Sequence, residues 1–333
     1  MFRLPRTPAL IVALFGASAS LAQDCDAPDV RDRLSSAELA QLEAEVDNIP
    51  FAKGIIWTAT RGDDTLTIAG SLHIPDPRLA PIRAALQAPL ANADLLMLEA
   101  TDQDQAAMQE EIARNTDIVL LPDNQTLIEL LPADVWEQVS EMARKRGVPP
   151  FTIARLQPWL IGMIMGLPTC IMTELQAGGV GLDAMINQDA DAIGLPVATL
   201  EDWRDMLAMM SGAPLDEQLE FLTLSAFGQG IENEIFTSLL NLYFEGNVGA
   251  IWPLNEYILP YIDGLDVERA QVVMDQQTEL LLDVRNEQWI PVIETATETA
   301  DDIVIVFGAA HLPGENGVLK LLENQGWSIA PFN

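Results

Sequence analysis

The sequence predicts an α/β fold in which short strands near both ends of the chain share one sheet, with a large helical insertion at about residues 103–300 between them. Three observations predict it. The stretch from Ile303 to Ile329 reads as strand, glycine turn, helix, strand: apolar Ile303 to Phe307, then Gly308-Ala309-Ala310-His311, an amphipathic Val318 to Asn324, and a closing Gly326-Trp327-Ser328-Ile329. Two β-rich runs, Gly54 to Thr60 and Thr65 to Ala69, flank the turn Arg61-Gly62-Asp63-Asp64 and read as a hairpin. Leu95 to Leu98, followed by Glu99, is the short apolar run of a strand buried on both faces.

Taken in order, the chain opens on a segment to be set aside. Arg3 and Arg6 form a basic region, Ala9 to Phe15 an apolar one, and Ser20-Leu21-Ala22 a small-residue cleavage signal. Residues 1–22 are therefore expected to be a secretory signal peptide cut after Ala22, leaving residues 23–333 as a single domain in the periplasm or outside the cell. The apolar run is shorter than the ~20 residues of a spanning helix. No later stretch is both long and free of charges or breakers, so no stable membrane span is expected after cleavage. In an oxidising compartment Cys25 and Cys170, the two cysteines, permit one disulfide.

Ser35 or Ser36 caps a predicted helix through Leu39, Leu42 and Val46. After the hairpin, Pro75-Asp76-Pro77 stops regular pairing and Leu79 to Ala91 reads as a helix, with Pro89 as a candidate early end. Beyond Gln103, helices are predicted over Ala133 to Arg146, from Pro158 to a break at Pro168, and from Leu182 through Asp191. The Gly178-Gly179-Val180-Gly181 cluster lacks the Lys-Ser or Lys-Thr of a phosphate loop and reads as a turn. Val197 to Leu200 reads as a strand, with Glu201-Asp202 opening the next helix. Leu215 to Phe244 and Leu265 to Thr299 are long helical regions separated by Gly246, Pro253 and Pro260.

Composition narrows the class of partner. The 333 residues carry 50 acidic against 17 basic side chains, a net charge of −33 that repels phosphate backbones, so nucleic acid is excluded as an expected partner. With 49% apolar content the chain can bury a large core. The sequence alone does not fix an oligomeric state.

Chemistry concentrates at predicted strand ends. The two histidines of the chain occupy matching settings, Gly70-Ser71-Leu72-His73 and Gly308-Ala309-Ala310-His311, and Glu99 closes the strand between them. Ligands of open sheets gather outside the carboxyl ends of strands. Two imidazoles and a carboxylate suit a three-ligand divalent centre with an open position for water, Zn²⁺ among the candidate ions. Asp183 or Glu201 is available as a supporting general base, and Arg285, beside Asn286 on an otherwise apolar and acidic segment, as a group that steadies a carboxylate or oxyanion. No HExxH helix is present. A metal-free arrangement is also coherent, with one histidine as base, a glutamate fixing its tautomer and the arginine facing developing charge. Ser71 lies in no GxSxG elbow and is a weaker nucleophile candidate.

These residues resemble the TraB/GumN family, which includes the Tiki metalloproteases. The resemblance is carried by Gly70-Ser71-Leu72-His73-Ile74-Pro75-Asp76-Pro77, Leu96-Met97-Leu98-Glu99, Gly181-Leu182-Asp183, Pro196-Val197 to Leu200-Glu201, Arg285-Asn286, and Gly308-Ala309-Ala310-His311-Leu312-Pro313-Gly314 with Gly317-Val318-Leu319 and Gly326-Trp327. It implies a mixed sheet flanked by helices, similar to the erythromycin-esterase and ChaN-like group. It also implies divalent-metal-dependent peptide hydrolysis, with Mn²⁺ or Co²⁺ favoured, in which His73, Glu99 and His311 are the ligands and Asp183, Glu201, Arg285 and Asn286 the supporting residues. The expected function is thus a metal-dependent hydrolase acting on a peptide or small-molecule substrate. The alternatives are a non-catalytic periplasmic protein that binds a peptide or small ligand, and a metal-free His/Glu esterase-like hydrolase.

Overall fold

The structure, a computed structural model, describes residues 27–332 apart from 229; the expected signal peptide and Cys25 lie outside the described residues. Cys170 is disulfide-bonded. Six short segments make one mixed sheet: β1 (Ile56–Arg61), β2 (Asp64–Ser71), β3 (Leu95–Leu98), β4 (Val197–Thr199), β5 (Asp302–Gly308) and β6 (Ser328–Pro331), in the order β4-β3-β5-β2-β1-β6. The β1–β2 hairpin closes tightly, Arg61 opposite Asp64, because Gly62 takes a left-handed conformation (φ 64°) that a side chain would resist. β5 is parallel to both β2 and β3, and β3 to β4; β1 is antiparallel to β2 and to β6. The first and last expected strands of the domain are therefore direct neighbours or one strand removed.

Register decides where function can lie. Ser71 pairs with Gly308, Leu98 with Val306, and Leu98 with Thr199, so four parallel strands end at nearly one level. From that edge the chain continues to His73, Glu99, Glu201 and His311. The central strand β5 is buried on both faces from Ile303 to Phe307, as its unbroken apolar run requires. Each such side chain contributes about 1.5–3 kcal/mol of burial, which fixes the strand ends firmly.

The main core joins the sheet to the helices Leu79–Asn92, Leu182–Ile193, Val284–Ala296 and Val318–Asn324. A second core lies among the helices Ala133–Lys145, Pro158–Met165 and Leu215–Phe227. A third gathers the helix Ser36–Val46 against Ile251–Ile258. Ser35 caps that first helix in a reciprocal capping box with Glu38.

Several boundaries differ from the sequence reading. Pro89 does not end its helix, which runs to Asn92. Pro253 stands in the first turn of the helix Ile251–Ile258 instead of separating two others, a position where its missing N–H has no intrahelical partner to lose. The Leu265 to Thr299 region is Val267–Thr278 and Val284–Ala296, joined by a π-helical turn at Glu279–Asp283 that ends two residues before Arg285. Among the described residues no single helix is long and apolar enough to cross a membrane.

Candidate active site

Gly308 is the floor on which the site is built. A Cβ placed there would lie 3.1 Å from His73 Nε2, 3.3 Å from Glu99 Oε1 and 3.6 Å from His311 Cδ2. The glycine thus marks a small space that all three side chains border, and its own N–H donates to Glu99 Oε1 at 2.5 Å.

His73 stands at the mouth, with 54% of its side chain exposed. Its Nε2 is 3.6 Å from Glu99 Oε1, and its Nδ1 is 3.1 Å from Asp183 Oδ1. The Asp183 contact is an ion pair and not an aligned hydrogen bond, which leaves Oδ1 a buried acceptor without a donor. Asp183 reaches His73 because Gly181 allows it: a Cβ at 181 would lie 2.4 Å from the His73 carbonyl carbon and the Leu72 oxygen. Leu182 N–H donates to that Leu72 carbonyl at 3.0 Å, pinning the start of its helix to the end of β2. The glycine cluster therefore does more than turn the chain. Packing of its inner side disfavours charge on His73, but Asp183 and Glu99 outweigh this and raise its pKa to about 9.

His311 is the opposite case, 4% exposed and packed at a tilt with its centroid 4.4 Å from that of the Trp289 ring. Its tautomer follows from its neighbours. Asn286 Nδ2 donates to the Asn316 carbonyl at 2.9 Å, which turns Asn286 Oδ1 toward His311 Nδ1 at 2.6 Å. Nδ1 must then carry the proton, so the lone pair is on Nε2, where Arg285 Nη1 meets it at 3.3 Å. Burial first, then Arg285 and His73, lower the His311 pKa to about 3 against the pull of Glu99.

Arg285 is the hub. It holds Glu201 two-pronged, Nε to Oε2 at 3.0 Å and Nη2 to Oε1 at 2.5 Å, and Nη2 also donates to Glu99 Oε2 at 2.6 Å. Nη1 donates to the Leu281 carbonyl at 3.1 Å, in the π-helical turn. Its side chain is 10% exposed, and a planar fork serving two carboxylates is a task lysine could not perform. Burial alone would raise the pKa of Glu99, but His73, His311, Arg285 and the Gly308 N–H together hold it down at about 2.

All seven residues singled out in the sequence are thus joined in one network. Sequence reading missed Trp289, whose Nε1–H donates to Glu201 Oε2 at 3.3 Å while its ring supports His311 and lies 4.9 Å below the Arg285 guanidinium. Its i+4 spacing from Arg285 on a helix was the available signal. Tyr243, which donates to the Gly70 carbonyl at 2.9 Å, gave no sequence signal at all.

The sequence profile of the TraB/PrgY/gumN family matches residues 55–331, from β1 to the end of β6. The chain belongs to the TraB/PrgY/gumN family. Two relatives named "Uncharacterized protein YbaP", one from Escherichia coli (strain K12) and one from Shigella flexneri, are each 22% identical over 282 residues, covering 80% of this chain and 97% of the relative. No solved structure matches it.

Family resemblance implies a divalent ion, and the residues can be tested for it. Glu99, Asp183 and Glu201 against Arg285 leave two negative charges when both histidines are neutral, which a divalent ion would balance. The donor types, imidazole nitrogen and carboxylate oxygen, suit such an ion. Among the described residues no three His, Cys, Asp or Glu side chains are already drawn together as a cage. The fit therefore rests on His73 Nε2 and Glu99 Oε1 beside Gly308, with His311 Nε2 engaged by Arg285.

Proposed function

We propose that this TraB/PrgY/gumN family chain is a periplasmic or secreted metal-dependent hydrolase of peptide bonds. One observation carries the reading: both histidines turn Nδ1 to an outer oxygen, of Asp183 and of Asn286, and Nε2 to the cluster around Glu99, the arrangement that orients metal-bound imidazoles. His73, Glu99 and, once Arg285 Nη1 gives way, His311 would hold the ion. When bound, it would polarise a carbonyl and acidify a water molecule. Asp183 keeps the His73 ring turned toward Glu99. Glu201 and Trp289 hold Arg285, whose guanidinium faces negative charge developing at the acyl oxygen. The peptide specificity rests on the resemblance to the Tiki branch.

A second reading is favoured by the position of Arg285, a fixed cation already seated between Glu99 and His311. There the hydrolase works without metal, and His73, after releasing its proton, is the base toward water. The deciding experiment measures hydrolysis of a fluorogenic peptide library by chelator-treated protein, alone and with Mn²⁺, Co²⁺ or Zn²⁺, beside Glu99→Gln and His73→Ala/His311→Ala, with metal binding followed by calorimetry. Turnover restored by metal and lost in both variants supports the first reading. Chelator-resistant turnover, or metal binding unaltered in the double variant, selects the second. No turnover under any condition, with a ligand still raising thermal stability, would leave only a binding protein.

A further inference from the structure

A cavity of about 400 Å³ is lined in part by the π-helical turn, through Glu279, Leu280 and Leu281. Its walls are apolar and adaptable: Trp159, Met163, Met210, Phe221, Leu281 and Val284. Aromatic rings and thioethers accept varied apolar shapes, and the volume is in the range of small-molecule pockets. Its charge is one-sided, since among the described residues no Lys, Arg or His lines it and three glutamates do. Glu220 is paired with Arg269, whereas Glu217 and Glu279 are exposed and add negative charge to the lining. Of the wall amides Gln218, Gln276 and Gln277, Gln218 is committed internally, accepting from Trp159 N at 3.3 Å and donating to the Ala213 carbonyl at 2.8 Å. An occupant is thus selected by an apolar body and a positive charge, with the two aromatic faces adding cation attraction.

The cavity is wired to the site by one residue. Leu281 lines it, and the Leu281 carbonyl accepts from Arg285 Nη1, the same nitrogen that meets His311 Nε2. π-helical turns are frequent at functional positions and break the ordinary α-helical bonding pattern. We propose that this cavity binds a small cationic amphiphile and that its occupancy is transmitted through Leu281 and Arg285 to His311. The inference stands independently of hydrolysis, because it concerns binding and the state of one ring.

The test uses 4-phenylbutylammonium as probe, with 4-phenylbutyrate and 4-phenylbutanol as matched anionic and neutral bodies, titrated calorimetrically into the whole protein. The ammonium is expected to bind at least about tenfold more tightly than the carboxylate. Ala213→Trp, which fills the cavity, abolishes binding, and Glu217→Gln/Glu279→Gln, at exposed positions that leave the fold intact, erases the charge preference. With two histidines in the chain, ¹⁵N-histidine spectra report each ring separately. Saturation moves the His311 signal in the parent protein and not in Ala213→Trp. No binding of the ammonium, equal affinity for all three probes, a charge preference that survives the double glutamine variant, or a His311 signal that stays put at saturation would each overturn the proposal. Should Ala213→Trp not fold, the double glutamine variant and the His311 signal decide alone.

Discussion

Replacing Arg285 by methionine tests the physical logic of the site most directly. The substitution keeps side-chain bulk and removes the donors to Glu201, Glu99, the Leu281 carbonyl and His311. Glu201 and Glu99 are 9% and 15% exposed in their side chains, so both lose a cation they cannot replace with water. Breaking one buried pair costs about 3–5 kcal/mol. Two carboxylates share this guanidinium, while His73 still faces Glu99, so a loss of about 4–5 kcal/mol is expected, a large part of a typical total of about 5–15 kcal/mol. With an m-value of about 3 kcal/mol per molar urea, the unfolding midpoint should fall by roughly 1.3–1.7 M at pH 7.

The controls separate charge burial from simple packing. Arg285→Lys should recover little, because one ammonium cannot reach both carboxylates as the fork does. Adding Glu201→Gln to Arg285→Met should return roughly 2 kcal/mol or more of the loss, since the orphaned charge is gone. At pH 4 the gap between Arg285→Met and the parent should narrow as the unpaired carboxylates take up protons. A midpoint change below about 0.3 M, near 1 kcal/mol, would mean that Arg285 behaves like a surface ion pair, and the account of the hub would be refuted.

Two further predictions concern the histidines and their floor. In chelator-treated protein, NMR should show His73 titrating near pH 9 and His311 silent from pH 5 to 9, given pKa values of about 9 and about 3. The stability signs differ: the folded His73 pKa lies above the ordinary 6.5, so its contribution is complete below about pH 6.5 and lost as pH rises through 9. His311 refuses a proton that the unfolded chain accepts, so its share of stability is lost as pH falls from 6.5 toward 3. Two coincident titrations near pH 6.5 would contradict both environments. Gly308→Ala should cost about 1–3 kcal/mol by urea unfolding and weaken Mn²⁺ binding at least tenfold by calorimetry, because the new methyl enters the space bordered by His73, Glu99 and His311. Unchanged Mn²⁺ affinity would show that this space is not where an ion is held.

What could be read in the sequence was whatever a local pattern forces. The unbroken apolar run Ile303 to Phe307 demands a strand covered on both faces, and it is the centre of the sheet. The Arg61-Gly62-Asp63-Asp64 turn sets its own register. His73, Glu99 and His311 were visible because each follows such a strand directly. The rest depends on what distant segments meet. Nothing local states that Gly181 packs against the His73 backbone, or that Arg285 enters from a helix more than 80 residues beyond Glu201. An isolated arginine in an acidic helix has the same sequence appearance whether it is solvated or buried between two carboxylates.

That difference also explains how an acidic chain can keep three carboxylates together at the candidate site. With a net charge of −33, the protein lies in a broad negative field, yet two cations offset most of the charge of the three site carboxylates. Arg285 neutralises the inner side, where Glu201 and Glu99 are buried, and a proton on His73 serves the outer side toward Asp183 and Glu99. The inner cation is permanent because guanidinium does not titrate in proteins. The outer one is exchangeable, since His73 is half exposed and its proton can leave to solvent. Any cation or polarised substrate group must therefore displace the His73 proton as it enters, so its affinity should rise about tenfold per pH unit between 7 and 9 and level off above. A binding profile flat across that range would place the ligand elsewhere.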